Sequence, residues 1–259
     1  MRLTRIASFP LAALCLCPAM PVGAQQQQQQ QQAAANVAAT TTSAAVDPAG
    51  AWGRFVAKET EFQRAFLRYA YRRDAVFQSV GMGGQVTGEY RRLSRINFDE
   101  RGAPRERVID LPVPTLAPSP SDIDDLDTLQ LYVLEAAKLP NYDFKHVGSE
   151  RIDEIDTYVY DVTPKVMPDP KKSKARYFQG RVWIDNKDFQ LVKARGKGVP
   201  AGKETFPTFD YYREHDGRYW VPSQVTADEQ MVLPNGRVIR VRIRVNYSDH
   251  QVETEGAKK

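Results

Sequence analysis

The chain has few cysteines and histidines and no long apolar stretch beyond its first residues, and each scarcity closes off a class of function. Its only cysteines, Cys15 and Cys17, lie near the start among apolar residues. The rest therefore has no disulfide, no thiol nucleophile and no cysteine metal ligand. Three histidines, His146, His215 and His250, are far apart in sequence. A metal centre needs several such ligands converging, so no metal site and no cofactor are expected. A G-x-S-x-G elbow is missing, and Gly81-Met82-Gly83-Gly84 is not followed by the Lys-Ser/Thr of a phosphate loop. Asp122, Asp124, Asp125 and Asp127 do not fit a calcium loop, which needs a mid-loop glycine and a twelfth-position glutamate. These acids are read as complementing the positive end of a helix dipole. No catalytic residues are assigned and no enzyme is expected.

Charge of either sign is also modest. The formal net charge is +4, and Arg2 and Arg5 in the first residues account for half of it. That excess gives no reason to expect nucleic acid as a partner.

The N-terminus has the pattern of an export signal. Met1–Arg5 is basic, Ile6–Met20 is mostly apolar, and Val22-Gly23-Ala24 offers small residues for cleavage near Ala24. The apolar run is shorter than the ~20 residues that span a bilayer. Leu14 and Leu16 precede the cysteines where lipid attachment needs a small residue, so no acyl anchor is expected. The organisation read from composition is a signal peptide (1–24), a Gln/Ala/Thr-rich disordered linker (25–47), one folded domain (48–250) and a flexible tail (251–259). The expected location is the periplasm, and the expected state a monomer.

Within the domain, strands dominate. In Arg176–Gly196, Phe178, Gly180, Val182 and Ile184 alternate with Tyr177, Gln179, Arg181 and Trp183, the period of a strand with two unlike faces. Asp185-Asn186-Lys187-Asp188 supplies turn residues, and Phe189, Leu191 and Val192 lead back. Val238–Tyr247 alternates most regularly, with Ile239, Val241, Ile243, Val245 and Tyr247 on one face and Arg240, Arg242 and Arg244 on the other. The arginine stripe is read as a solvated outer face. Asp216-Gly217 and Asn235-Gly236 mark further hairpins.

Two stretches carry the helical period instead. Trp52, Phe55, Val56, Phe62 and Phe66 form one apolar stripe. After the proline-rich Pro112–Pro120, Ile123, Leu126, Leu129, Leu131 and Leu134 form a second, capped at Ser121 or Asp122. The fold class is α+β: about ten strands in one large curved antiparallel sheet, an incomplete β-barrel, covered by two or three helices.

The stretches Ile155–Val162, Phe178–Asp185 with Phe189–Lys193 after it, and Tyr219–Ser223, in this order of elements, resemble the LolA/LolB-like periplasmic lipoprotein-carrier superfamily, the outer-membrane lipoprotein-sorting type. The resemblance spans roughly Trp52 to Tyr247. It implies an incomplete barrel whose concave apolar face, lidded by helices, accepts acyl chains. The implied partners are a lipid or an acylated protein, with an envelope protein and peripheral membrane contact as further possibilities. The candidate lining is Phe178, Val182, Ile184, Leu191, Ile239, Val241, Ile243 and Val245, and Pro112–Pro120 is the candidate flap. Two alternatives stay open: a non-catalytic envelope interaction or scaffold module whose core fills itself, and a hydrolase whose carboxylates converge only in three dimensions.

Overall fold

The computed structural model describes residues 47–118, 120–169, 171, 175–200, 207–232 and 238–253. The expected signal peptide, nearly all of the expected linker and the Asn235-Gly236 turn lie outside the described residues. Asp47, placed in the linker from composition, caps the first helix, where its carboxylate accepts from the amides of Ala49 and Gly50.

The elements follow the chain as α1 (Pro48–Phe66), β1 (Tyr69–Val80), β2 (Val86–Phe98), β3 (Pro104–Asp110), α2 (Pro120–Leu126), α3 (Leu129–Tyr132) and a 3-10 turn (Ala136–Asn141). Then come β4 (Tyr142–Ile152), β5 (Ile155–Pro164), β6 (Tyr177–Asp185), β7 (Leu191–Val199), β8 (Phe209–His215), β9 (Trp220–Val232) and β10 (Val238–Val252). β10 therefore runs two residues past the expected domain boundary at 250, and the Glu253 amide still donates to the Arg68 carbonyl.

All ten strands join one antiparallel sheet in the order β3-β2-β1-β10-β9-β8-β7-β6-β5-β4. This is the open, incomplete-barrel architecture expected from the alternating segments. Almost every strand pairs with its neighbours in sequence, the arrangement that short hairpin turns produce. Gly217, at φ 103°, takes the left-handed conformation that the Asp216-Gly217 turn demands.

The exception is the β1–β10 pair, which brings strands from the two ends of the domain together inside the sheet, as its third and fourth strands from the β3 edge. β3 and β4, consecutive strands, consequently form opposite edges. The chain between them, 111–141, has to cross the sheet, and it does so over the apolar face. α1 covers the same face. Trp52 stacks on Phe144 at 4.4 Å, and Phe66 packs on Tyr69 and Tyr71.

One close approach fixes the middle of β6 and β7. Gly180 and Gly196 are cross-strand partners, and the ring of Phe178 lies over both, so that a β-carbon at either would collide with that ring and with the facing backbone.

Candidate functional site

The concave face is where the site was expected, and the eight candidate residues divide there. Phe178, Val182, Ile184, Leu191, Ile243 and Val245 are buried in the core between sheet and helices. Ile239 and Val241 also belong to that face but are half-buried, near the start of β10. The arginines that alternate with them, Arg240, Arg242 and Arg244, point to the opposite face, as the two-residue period requires.

The segment lying on this face is not the single helix that the leucine spacing suggests. It is two short helices, α2 and α3, followed by a 3-10 turn. Helices this short leave most of their carbonyls without an internal partner. Donors from the sheet floor meet them. Arg73 Nη1 donates to the Leu126 carbonyl at 3.2 Å, Tyr247 Oη to Gln130 at 2.9 Å, Tyr211 Oη to Leu131 at 2.8 Å and Arg213 Nη2 to Tyr132 at 3.4 Å. From α1, Gln63 donates to the Leu134 carbonyl and accepts from the Ala136 amide, both at 2.8 Å.

Ion pairs reinforce these bonds. Arg73 on β1 reaches Asp127 between α2 and α3, and Glu106 on β3. Arg176, just before β6, makes a two-point contact with Asp125 of α2, at 2.8 and 2.9 Å. Arg213 on β8 makes another with Glu59 of α1, at 2.7 and 2.9 Å. Burial opposes the charge on Arg73 and on Arg213, yet Asp127 and Glu59 hold both above the usual guanidinium range. The acids of 122–127, read from sequence as helix-dipole partners, thus include two ion-pair partners, Asp125 and Asp127.

These arginines were not among the expected site residues. Strand parity marks two of them: Tyr71, Arg73, Ala75 and Phe77 alternate inward on β1, as do Phe209, Tyr211 and Arg213 on β8, and all are buried. An arginine on the buried parity of a strand signals a partner across the core.

Two features of this seam are left uncompensated. The Gln130 side chain is fully buried, and neither amide atom has a partner among the described residues; the same holds for Tyr71 Oη. Each such group costs about 1–3 kcal/mol. Val133, also fully buried, takes φ 64°, a conformation unfavourable for a β-branched residue. Burial pushes the Tyr71 hydroxyl well above its normal pKa and lowers the His250 imidazole, which stacks against Tyr71, to about 4.

The candidate flap, Pro112–Pro120, lies along β2 where it is described. The amides of Thr115 and Leu116 donate to the Glu89 carbonyl, and the Glu89 amide donates to Thr115 Oγ1. Val113 is 91% exposed.

Depressions of about 420 and 160 Å3 adjoin on the outward face, with Arg242 and Arg244 lining both. Arg195, Asp210, Thr226 and Asp228 complete most of the larger one, and of the eight candidates only Ile243 contributes to either. Among the described residues no three His, Cys, Asp or Glu side chains are grouped to hold a metal ion, and no helix is long and apolar enough to cross a membrane.

No protein-family model matches the sequence, and no curated protein does. Solved structures do resemble it. A DUF1329 family protein from Desulfovibrio piger is 15% identical, covers 78% of this chain and 92% of its own, and has a TM-score of 0.40. A LolA superfamily protein from Nitrosomonas europaea is 15% identical, with 79% and 94% covered and a TM-score of 0.37. A domain named for outer-membrane lipoprotein sorting, from Vibrio parahaemolyticus, is 13% identical, with 78% and 93% covered and the same TM-score. At these identities and TM-scores, what those proteins do does not carry over to this chain.

Proposed function

We propose that this chain is an exported, periplasmic carrier or sensor that takes lipid or lipoprotein acyl chains into the concave apolar face of its sheet, with residues 111–141 acting as the lid. The observation that carries this reading is the attachment of the lid. Its short helices are held by side-chain donors from the floor, Arg73, Tyr211, Arg213 and Tyr247, in addition to their apolar contacts. A segment fastened by discrete polar bonds can be released as a unit, whereas a continuous helix packed only by its leucines has no comparable catch. The unpaired Gln130 amide and the backbone of Val133 store cost in the closed state, which lowers the price of opening.

Once the lid lifts, Phe178, Val182, Ile184, Leu191, Ile243 and Val245 form the floor, with Ile239 and Val241 at its rim. Burial at about 0.8 kcal/mol per methylene supplies affinity without a reactive group, so the role needs no cofactor and no catalysis. The test is displacement of a fluorescent fatty acid from the purified domain. Saturable displacement that becomes faster in Arg73→Gln supports the carrier; no saturable binding in either protein removes it.

A second reading, an envelope interaction module with a self-filled core, is favoured by the full burial of Phe178, Val182, Ile184 and Leu191 beneath the helices. Under that reading Arg73→Gln lowers stability but no acyl probe binds.

A further inference from the structure

The outward face of the sheet handles its arginines in two ways. Over most of its width acids on neighbouring strands match them: Arg91 by Asp74, Arg181 by Asp161, Arg195 by Asp210, and Arg240 and Arg242 by Asp228, with Arg244 as an exception that has no ion pair among the described residues. At the β1–β2–β3 corner this matching stops. Arg72 on β1 stands directly opposite Arg95 on β2, and Arg95 directly opposite Arg107 on β3. Arg105, two residues from Arg107, shares the same face. Neighbouring strands are about 4.8 Å apart, so three guanidinium-bearing positions lie within roughly 10 Å. Like charges placed directly across strands destabilise a sheet.

None of the four has a carboxylate partner among the described residues. Arg95 donates to the Asp249 carbonyl and to Gln251 Oε1, both neutral acceptors. Arg72, Arg105 and Arg107 have no ion pair among the described residues, and all three are exposed. Glu253, which accepts from Asn97 beside Arg105, borders the row on one side; Asp74 and Asp110, facing each other across Leu93, border it on the other, and Asp74 is already engaged by Arg91.

Charged residues and proline on an edge strand commonly guard against strand addition, and Pro104, Arg105 and Arg107 suit that purpose. The guard does not account for Arg72 and Arg95, which lie on the two strands behind the edge. Nor does it account for Val108, Ile109 and Leu111, about half exposed, and Val113, which continue the same edge as aliphatics open to solvent.

We propose that this corner is a docking surface for an anionic phospholipid bilayer, with the Arg72–Arg95–Arg107 row on headgroup phosphates and the aliphatics of 108–113 at the acyl boundary. A row of cations beside exposed aliphatics is the chemistry of an interfacial contact, whereas an acidic peptide would use the cations alone. The inference does not depend on the acyl-chain site, because it concerns the opposite face and one edge of the sheet.

The experiment is vesicle co-sedimentation of the full domain. The expected result is pelleting with vesicles containing phosphatidylglycerol, little with pure phosphatidylcholine, and loss of binding as salt is raised toward ~0.5 M. Arg72→Gln/Arg107→Gln should weaken partition roughly 30-fold, at about a factor of five per arginine. Arg240→Gln/Arg242→Gln, with the same change of charge elsewhere on the face, should leave it nearly unchanged, and Val113→Ser should weaken it further. Equal binding to both vesicle types, equal loss in the two double variants, or binding to polyglutamate but not to vesicles would each overturn the proposal. The lipid preference and salt dependence of the unaltered protein test it whether or not a variant folds.

Discussion

Arg213 and Glu59 face each other through two hydrogen bonds with both side chains fully buried, β8 to α1, 154 residues apart in the chain. Around them Tyr211 Oη accepts from Arg213 Nε at 2.9 Å, and the guanidinium lies 4.4 Å from the centre of the Phe62 ring. Removing one member leaves the other charged in a site closed to water, a loss of about 3–5 kcal/mol. Glu59→Gln should therefore lower the melting temperature by roughly 10 °C, at about 2–4 °C per kcal/mol for a domain of this size. Glu59→Leu/Arg213→Leu should recover much of that loss. A thermal melt of the three proteins checks both statements, and an additive double variant would mean that the pair is not coupled.

Loosening the lid should register locally before it registers globally. Asp127→Asn removes the charge that Arg73 meets, and Asp125→Asn the two-point contact to Arg176. Amide hydrogen exchange over 123–134 should speed up by about tenfold or more in each, with the β6–β7 amides unchanged. Uniform acceleration across the sheet would mean that the segment opens only when the whole domain does.

His250 gives the domain an acid-sensitive component. Burial lowers its imidazole from 6.5 to about 4, although Asp216 and Asp249 partly offset this. Its folded pKa lies below the unfolded value, so the unfolded chain binds the extra proton in that interval. Its contribution to stability is complete above pH 6.5 and is lost as pH falls toward 4. His250→Phe should flatten the fall of the urea midpoint between those values; an unchanged slope would assign the acid sensitivity to other groups.

Gly196→Ala should be among the most damaging small changes in the sheet. Its new β-carbon would stand 2.6 Å from Phe178 Cζ and closer still to the Gln179 carbonyl, which cannot retreat without breaking the β6–β7 ladder. A loss of about 1–3 kcal/mol or more is expected. Gly53→Ala, with open space around the site on α1, should be neutral or slightly stabilising. Chemical denaturation of the pair gives the comparison.

The sheet was legible because its strands alternate. Tyr69–Val80 and Val238–Tyr247 announce both faces in their own residues, and several of the turns between neighbours, as at Asp185–Asp188 and Asp216-Gly217, are short and marked by Gly, Asp and Asn. The first helix was legible for the same kind of reason, through one stripe at helical spacing. The lid was less so: Leu126, Leu129, Leu131 and Leu134 suit one helix, but carbonyl acceptors and acids between them are claimed by residues far away in the chain, which breaks it in two. Arg73 and Arg213 were not legible in this way, because arginine is ordinarily a surface residue. Only their parity, Arg73 between Tyr71 and Ala75, places them inside, and their partners lie more than thirty residues away, Glu106 being nearest. Alternation places the lining candidates on the buried face of their strands, but their close packing beneath the helices depends on tertiary contacts that no local pattern records.

The pairing of β1 with β10 in the interior of the sheet has a consequence for how the molecule is completed. Until Val238–Val252 arrives, the strands already made form two separate ribbons, each with a raw inner border, and the first helix has only part of its bed. The last strand acts as a zip. A polypeptide truncated before it would present two sticky margins in place of one continuous surface, so synthesis must deliver nearly the whole sequence before the domain can protect itself from its neighbours.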